Sequence, residues 1–222
     1  MIDKYTKNLP VFKPYHAPTA GAVVLLTGST GGLGSHILAS LLTNPAVVEV
    51  ITLNRGSNVA ERQRASFEER GLSTSILSSH KLISIVGDMK HPELGLNSFE
   101  LRSVSCVRLS DFSILIMCYL QVRNGITHII HNAWRVDFNL SLSSFDTYIG
   151  SVRNLVDFSA TCDHPVRLLF TSSAAAVYSW DFNKGVAPDD VIDDPNVVAA
   201  SGYGQAKYVV EHVCDVQNLV SD

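Results

Sequence analysis

The sequence predicts an α/β fold built on a doubly wound parallel sheet, and two observations support this class. Short apolar runs alternate along the chain with longer segments of helical periodicity, an order that joins parallel strands through right-handed crossovers. The first apolar run, residues 22–26, leads directly into a glycine cluster at 28–34. Such a cluster is the usual junction between strand and helix in sheets of this kind.

Each predicted element follows from its residue pattern and its boundaries. Residues 22–26 form an unbroken apolar run, as expected for a parallel strand covered on both faces. The next helical pattern stops near Asn44 and Pro45, and the polar-faced helix after the second strand is closed by Gly71. The predicted strands are 22–26, 47–53, 82–86, 127–131 and 166–171, and the predicted helices are 33–42, 59–70, 142–160 and 203–220.

Length and composition limit the classes of protein that remain. The 222 residues suffice for one domain with a proper core, and we expect it to span 21–222 after a lead-in at 1–20. That lead-in lacks the apolar stretch of a signal peptide. The chain is 46% hydrophobic with a formal net charge of −4, and its Lys and Arg residues are dispersed, which argues against nucleic-acid binding.

Three further patterns exclude other classes. The four cysteines show no C-x-x-C spacing, so reduced thiols in the cytoplasm are expected. The eight histidines show no metal-ligand spacing, and neither a metal site nor a hydrolase is predicted. The most apolar run, 112–120, is far shorter than the roughly 20 residues that cross a bilayer.

The glycine cluster has the spacing of a phosphate-binding loop. It reads G-x-x-G-x-x-G between a strand and a helix, the context that this motif requires, although an ordinary glycine turn is the alternative. Glycines let the backbone approach a pyrophosphate, whose charge meets the free N–H groups at the helix start. We therefore expect a Rossmann-type domain in which the cofactor is bound by Gly28, Ser29, Thr30, Gly31, Gly32, Leu33 and Gly34.

The end of the second strand predicts which dinucleotide is bound. About 20 residues beyond the last glycine, an Asp or Glu usually bonds the ribose of NAD, whereas an Arg suits the 2′-phosphate of NADP. Here the strand ends in Asn54 and Arg55, so NADPH is favoured over NADH as the cofactor. Arg62 and Arg64 on the next helix could add a second clamp, the alternative being a solvated basic face.

Residues after the third and fourth strands are also predicted to contact the cofactor. Asp88 could accept a hydrogen bond from the adenine amino group, or it could cap a turn. Asn132 and Ala133 lie at the carboxyl edge of the sheet, where ligands collect in open α/β folds. The small alanine would let the cofactor pass closely, whereas Asn132 could simply hold the loop.

A Tyr-x-x-x-Lys motif near the C-terminus is the candidate for proton transfer. Reduction of a carbonyl by hydride builds negative charge on oxygen, so the site needs a donor and a proton source there. Tyr203 can supply the proton, and Lys207, on the same helical face, can stabilise the phenolate and hold the nicotinamide ribose. The alternative is a surface tyrosine beside a solvated lysine.

Two further side chains complete this catalytic group. Ser172 or Ser173, just after the fifth strand, is predicted to bind the substrate oxygen; Ser173 is preferred, and the alternative for Ser172 and Thr171 is that they only cap the strand. Asn154, in the preceding helix, is predicted to anchor a water that links Lys207 to solvent, or else to be a structural asparagine.

These residues resemble the extended short-chain dehydrogenase/reductase superfamily. More closely, the chain resembles the terminal thioester reductase domain of carboxylic acid reductases, α-aminoadipate reductases and nonribosomal-peptide-synthetase-like adenylate-forming reductases. The more specific segments are Leu53-Asn54-Arg55 and His131-Asn132-Ala133-Trp134. The full set of matching segments is 26–34, 53–55, 87–88, 94–96, 129–138, 170–173 and 203–207.

The resemblance implies reductive release of an acyl group from a phosphopantetheine thioester on a carrier domain. NADPH would supply the hydride, Ser173 and Tyr203 would stabilise the oxyanion, and an aldehyde would leave. The implied partners are the acyl-loaded carrier domain and the small-molecule acyl substrate. Two rivals remain: a fatty acyl-CoA reductase or an epimerase/dehydratase-like enzyme, and a catalytically idle dinucleotide-binding module.

The chain departs from the family pattern in two places. It ends at Asp222, so the C-terminal substrate-binding region of the family is expected to be missing, and the chain is expected to be part of a larger multidomain enzyme. An unusual apolar segment near 103–123 lies where the family passes directly to the fourth strand. This segment is either a true insertion or non-coding sequence retained in a gene model, and the lack of flanking turn signals favours the latter.

Overall fold

A parallel sheet of five strands forms the centre of the computed structural model, which describes residues 1–12, 14, 19–96, 120 and 122–215. The strands are β1 (Ala22–Thr27), β2 (Val47–Asn54), β3 (Leu82–Val86), β4 (His128–His131) and β5 (Arg167–Phe170). They lie in the order β3-β2-β1-β4-β5, and each neighbouring pair is parallel. Because the order of the strands reverses at β1, the predicted doubly wound sheet is confirmed.

Helices connect the strands and cover the sheet. They are α1 (Ile2–Thr6), α2 (Gly32–Thr43), α3 (Val59–Glu69), α4 (Asp146–Thr161) and α5 (Gly202–Asp215). The helix predicted to start at 142 instead begins with a 3-10 turn, Leu142–Phe145, before α4. The last predicted helix ends at 220, and its residues beyond 215 lie outside the described part of the chain.

Both faces of β1 are buried, which explains its continuous apolar run. Val24 and Leu26 pack against Leu38 of α2 on one face. Leu25 faces the other way and packs in a cluster with Leu155 of α4. Successive side chains of a strand point to opposite faces, so a strand covered on both sides needs an apolar residue at every position.

The N-terminal residues are docked onto the two C-terminal helices. α4 and α5 pack together around a buried cluster that includes Val152 and Val210, and Ile2, Tyr5, Leu9 and Phe12 pack against this cluster. The Tyr5 ring lies over Gly150, where an added Cβ would come within 3.4 Å of its hydroxyl oxygen. The lead-in therefore forms part of the hydrophobic core around these helices.

Arg153 of α4 fastens this N-terminal segment. Its guanidinium donates hydrogen bonds to the carbonyl oxygens of Tyr5, Lys7 and Asn8, each at 2.8 Å, and its Nε bonds Asp157 at 2.9 Å. The sequence analysis did not predict either α1 or this contact.

The unusual segment near 103–123 lies outside the described residues, except for 120, 122 and 123. Its last residues join the fold: residues 122–125 are helical, Val122 is buried in the core, and Arg123 donates a hydrogen bond to the carbonyl oxygen of Thr161 at 2.7 Å. In the part of the chain that is described, we find no helix with the length and apolar character of a bilayer span.

Candidate active site

A cavity of about 710 Å³ opens at the carboxyl edge of the sheet. Residues from the loop after each of the five strands line it, together with side chains of α4 and α5. This is the edge at which parallel α/β sheets bind ligands, next to the strand where the order reverses. The predicted residues on its wall are Gly28, Thr30, Gly31, Gly32, Leu33, Arg55, Asp88, Asn132, Ala133, Tyr203 and Lys207.

The glycine loop is shaped by close backbone contacts. Gly28 has φ +75°, and a Cβ there would lie 2.8 Å from the backbone nitrogen of Ala133, so the ends of β1 and β4 meet without a side chain between them. At Gly34 a Cβ would lie 1.9 Å from the carbonyl oxygen of Gly28, which no side chain can accept. Gly31 caps α2, so the free N–H groups of the helix start face the cavity.

Ser29 and Gly34 belong to this loop but do not line the cavity. Ser29 is fully buried, and its hydroxyl donates a hydrogen bond to Oδ1 of Asn54 at 3.0 Å. Asn54 is itself buried at the end of β2. The loop and the next strand end are therefore held together by side chains that both belong to the predicted cofactor set.

Arg55 is the arginine of the predicted set that reaches the cavity wall. The Arg62 guanidinium donates a hydrogen bond to the backbone carbonyl oxygen of Arg55 at 2.6 Å, so Arg62 steadies the turn that carries Arg55. Arg62 and Arg64 are exposed on α3, and neither lines the cavity. The structure thus brings one of the three predicted arginines into the site.

Asp88 takes the predicted turn-capping role and also lies on the cavity wall. It lines the cavity, and its Oδ1 also accepts a hydrogen bond from the backbone N–H of Lys90 at 3.0 Å. Its own backbone N–H donates to the carbonyl oxygen of Leu94 at 3.0 Å. The carboxylate is therefore fixed in a turn at the edge of the site.

Thr27 and His131 organise the loop after β4. The two residues lie side by side at the ends of β1 and β4. Thr27 Oγ1 accepts hydrogen bonds from the backbone N–H groups of Asn132 and Ala133, both at 3.2 Å, so its own proton points to Nδ1 of His131 at 2.8 Å. Burial, and secondarily the charge of Lys207, lower the pKa of His131 to about 3, which keeps the imidazole neutral.

Tyr203 and Lys207 both lie on the cavity wall and are largely buried, with 7% and 2% of their surfaces exposed. Lys207 Nζ donates a hydrogen bond to the carbonyl oxygen of Thr171 at 2.6 Å. The same nitrogen lies 4.3 Å from the ring centre of Phe170 and 4.6 Å from that of Trp134. Burial lowers the pKa of Lys207 to about 8.

The ring of Tyr203 packs against other aromatic rings. Its ring centre is 4.7 Å from that of Phe138 and 6.2 Å from that of Phe145, which it meets edge-on. Lys207 Nζ is 5.8 Å from the centre of the Tyr203 ring. The predicted tyrosine and lysine are therefore neighbours at the edge of the sheet, as a proton-transfer pair requires.

The structure separates the two candidate serines. Ser172 lines the cavity, and its hydroxyl donates a hydrogen bond to the carboxylate of Glu211. Ser173 does not line the cavity; its Oγ accepts a hydrogen bond from the backbone N–H of Ala175 at 3.2 Å and caps a 3-10 turn. Burial raises the pKa of Glu211.

Asn154 is bonded to a loop that borders the cavity. Its Nδ2 donates a hydrogen bond to the carbonyl oxygen of Met89 at 2.8 Å, and Asn154 itself does not line the cavity. Sequence reasoning missed Glu211 and His131 as members of the site. Glu211 follows Lys207 by one helical turn, a spacing that could have indicated it.

Cysteines and metal ligands play no visible part in this site. Within the described ranges, no group of three or more His, Cys, Asp and Glu residues is placed to hold a metal ion. Cys162 is buried, and Cys214 is a free thiol whose pKa is raised by burial to about 12. Cys106 and Cys118 lie outside the described residues.

Comparison with known families finds a match over most of the chain. A family model described as Male sterility protein, which represents NAD-binding domains, matches residues 26–109 and 110–219. Among solved structures, the terminal R domain from the myxalamid PKS-NRPS biosynthetic pathway superposes with a TM-score of 0.71. This alignment covers 99% of this chain and 52% of that one at 19% sequence identity, so it concerns the fold.

Curated relatives match at higher identity but are much longer. The adenylate-forming reductase Nps11 of Serpula lacrymans is 45% identical over 204 residues, which cover 89% of this chain and 17% of that protein. The carboxylic acid reductase of Neurospora crassa is 34% identical over 223 residues, which cover 100% of this chain and 19% of that protein. The chain therefore spans less than a fifth of the length of these two relatives.

Proposed function

Because the chain belongs to the Male sterility protein family of NAD-binding domains, we propose that it is an NADPH-dependent reductase of acyl thioesters carried on a phosphopantetheine arm, releasing an aldehyde. The family and the fold predicted from the sequence are confirmed by the matches described above, and the reductase class is part of the proposal. The carrier domain, the acyl substrate and a cytoplasmic setting belong to the proposal. They are supported by relatives named as adenylate-forming and carboxylic acid reductases.

A single observation carries this proposal: the tyrosine and lysine share one cavity with the glycine loop. The loop fits a dinucleotide, because the positions of Gly28 and Gly34 leave no room for a Cβ and the start of α2 offers free N–H groups to a pyrophosphate. When bound, the cofactor supplies the hydride for the carbonyl carbon. The residues of the chain then have to orient the substrate and manage charge and protons.

We assign NADPH on the charge at the end of β2. Arg55 lies on the cavity wall, no carboxylate occupies position 54 or 55, and Arg62 holds the backbone of Arg55 in place. A 2′-phosphate would find a guanidinium there, whereas the ribose hydroxyls of NADH would lack their usual carboxylate.

The proposed chemistry assigns a step to each catalytic residue. Tyr203 Oη donates a hydrogen bond to the thioester oxygen as charge builds there, and Lys207, held by the carbonyl of Thr171, keeps an ammonium beside the phenol. Collapse of the oxyanion breaks the C–S bond, and the departing sulfur takes the proton of Tyr203, which leaves a phenolate that Lys207 stabilises and that solvent reprotonates. The products are a thiol and an aldehyde.

Ser173 is our proposal for the second donor to the oxyanion, with Ser172 as the alternative because Ser172 lies on the cavity wall. The proposed water held by Asn154 has less support, because the amide of Asn154 bonds Met89. Replacing each serine by alanine and comparing the rates of aldehyde formation would identify the donor.

Tyr203→Phe tests the catalytic assignment. We expect aldehyde formation from an acyl-carrier thioester to fall at least about 100-fold, because the proton donor is lost, while the affinity for NADPH changes little. Tyr178→Phe is the matched control, since Tyr178 is 75% exposed and does not line the cavity. Undiminished turnover by Tyr203→Phe would remove the assigned role.

Substrate comparison separates the rival functions. Turnover of acyl-carrier thioester in preference to free acyl-CoA supports the carrier-dependent reductase, and the reverse preference supports a fatty acyl-CoA reductase. Turnover of a sugar nucleotide supports the epimerase/dehydratase class. Tight binding of NADPH without turnover of any of these supports an idle binding module.

Arg55→Ala tests the choice of cofactor. We expect NADPH to bind about 10- to 100-fold more weakly, because a charge-assisted hydrogen bond to phosphate is lost, while the affinity for NADH stays nearly unchanged. Fluorescence titration with both nucleotides measures this. Arg64→Ala is the control, because Arg64 is exposed on the following helix α3 and does not line the cavity. Equal losses for both nucleotides would refute the assignment of NADPH.

A further inference from the structure

A buried polar network lies between the glycine loop, β2 and α3. Its centre is Gln63, which is 2% exposed although its neighbours Arg62 and Arg64 are exposed. Gln63 lies on the buried stripe of α3 with Val59 and Phe67, where an apolar residue would be expected. A polar side chain at a core position calls for a specific role, because burial is costly unless each polar atom is bonded.

The orientation of Gln63 is fixed by a closed ring of hydrogen bonds. Its Nε2 donates to Oγ1 of Thr52 at 3.1 Å, and the Thr52 and Ser84 hydroxyl oxygens are 3.0 Å apart. The Ser84 hydroxyl donates to Oε1 of Gln63 at 3.4 Å. Ser84 donates to Gln63, and Thr52 accepts from Gln63. The Thr52 hydroxyl therefore donates to Ser84, so each member of the ring donates to the next in the same direction.

The second N–H of Gln63 sets the orientation of Asn54 through Ser29. Gln63 Nε2 donates to Ser29 Oγ at 3.0 Å, so the Ser29 hydroxyl is free to donate to Oδ1 of Asn54 at 3.0 Å. The carbonyl side of the Asn54 amide is thereby committed to Ser29. Its Nδ2 is buried and has no hydrogen-bond partner among the described residues.

We propose that Gln63 is a positioning residue for cofactor selectivity, which acts through Ser29 to hold the Asn54 amide with its oxygen bonded to Ser29 and its Nδ2 unpartnered. The proposal rests on the proposed function and deepens it. Asn54 stands beside Arg55 at the strand end where NAD-binding proteins use a carboxylate to accept from the ribose hydroxyls. An Asn54 held in this way has an unpartnered N–H for a 2′-phosphate, whereas its oxygen already accepts from the buried Ser29.

This arrangement also accounts for the unpartnered nitrogen. A buried N–H without an acceptor lowers stability. An oxygen of a bound ligand would supply the missing acceptor. Arg55 contributes only side-chain donors, and the unpartnered atom of Asn54 is also a donor, which suits a phosphate ester better than a diol. The chemical group recognised at this subsite is therefore a ribose 2′-phosphate.

Gln63→Met tests the proposal, because methionine keeps the length of the side chain and removes the three hydrogen bonds that Gln63 makes. The probes are adenosine 2′,5′-bisphosphate and adenosine 5′-monophosphate, with affinities measured by calorimetry on the 222-residue chain. We expect the preference for the bisphosphate to fall at least about fivefold in Gln63→Met. Glu61→Gln, an exposed change on the same helix, should keep the wild-type ratio.

The outcomes separate this inference from the proposed function. If wild type prefers the bisphosphate and the folded Gln63→Met variant keeps the same ratio within twofold, the inference is wrong and the assignment of NADPH stands. If Gln63→Met does not fold, Asn54→Asp decides: a lower ratio supports the inference, and an unchanged ratio overturns it. If wild type shows no preference for the bisphosphate, the assignment of NADPH fails and the inference fails with it.

Discussion

His131 acts in the site as a neutral hydrogen-bond acceptor. Its Nδ1 receives the proton of Thr27, whose oxygen in turn holds the backbone of Asn132 and Ala133. Its ring stacks on Phe170 at 5.8 Å and is fully buried. A charged imidazole would be desolvated there and would face Lys207, so the loop after β4 depends on the uncharged form.

The neutral state of His131 predicts how stability depends on pH. Its pKa is about 3 in the folded chain and about 6.5 when unfolded, so between these values the unfolded chain binds an extra proton. Stability therefore falls as the pH drops below about 6.5, by up to about 1.4 kcal/mol per pH unit from this residue. Urea unfolding at several pH values measures this slope.

His131→Phe is the variant that isolates this contribution. It keeps a ring next to Phe170 but cannot titrate and leaves the Thr27 hydroxyl without its acceptor. We expect it to be about 1–3 kcal/mol less stable at pH 7 and to lose less stability than wild type between pH 6.5 and 4. Equal slopes in the two proteins would contradict the assigned pKa.

Contacts between distant residues are the part of the site that the sequence did not reveal. The residues of the glycine loop lie within a few positions of one another, as do Tyr203 and Lys207, so each motif has a spacing that the sequence shows. By contrast, Ser172 and Glu211 are 39 positions apart, and Thr27 and His131 are 104 apart. No local pattern marks such pairs, because they meet only when strands and helices pack.

At the level of elements, the strands were predictable and the N-terminal helix was not. Strands covered on both faces need continuous apolar runs, so their ends were placed within about two residues. α1 has five residues and no buried residue of its own, and a helix this short depends on tertiary contacts. Its position is set instead by Arg153 and by apolar side chains that contact α4 and α5.

Arg153→Ala should release the N-terminal segment. Three hydrogen bonds to carbonyl oxygens are lost, so we expect the free energy of unfolding to fall by about 2–3 kcal/mol and amide exchange in residues 1–12 to accelerate. Lys4→Ala is the matched control, because its pair with Asp146 is exposed on both sides and should matter little. Equal effects of the two variants on stability and amide exchange would contradict the role of Arg153 in holding the N-terminal segment.

At the scale of the whole molecule, the cavity joins the two halves of the sheet. Its wall includes Arg55 from the β2 side and Tyr203 with Lys207 from the side of β4 and β5, with the glycine loop of β1 between them. A ligand that fills this cavity touches both halves and cannot bind to them once they separate on unfolding. Binding is therefore coupled to the stability of the entire fold.

NADPH should raise the thermal stability of the chain. At 100 times its Kd, a ligand that binds only the folded state adds about 2.7 kcal/mol, which corresponds to about 5–10 °C in Tm for a chain of this size. Differential scanning fluorimetry with NADPH and with NADH at the same concentration measures it. We expect the larger shift from NADPH, and equal shifts would speak against recognition of the 2′-phosphate.

Trp134 gives the chain a built-in optical reporter. It is one of two tryptophans; its indole lines the cavity beside the ammonium of Lys207, whereas Trp180 bonds the carbonyl of Gly185 in an outer loop. Emission from Trp134 should respond when the cavity fills, while Trp180 contributes a constant background. Occupancy can thus be followed in the unlabelled protein, without a coupled assay.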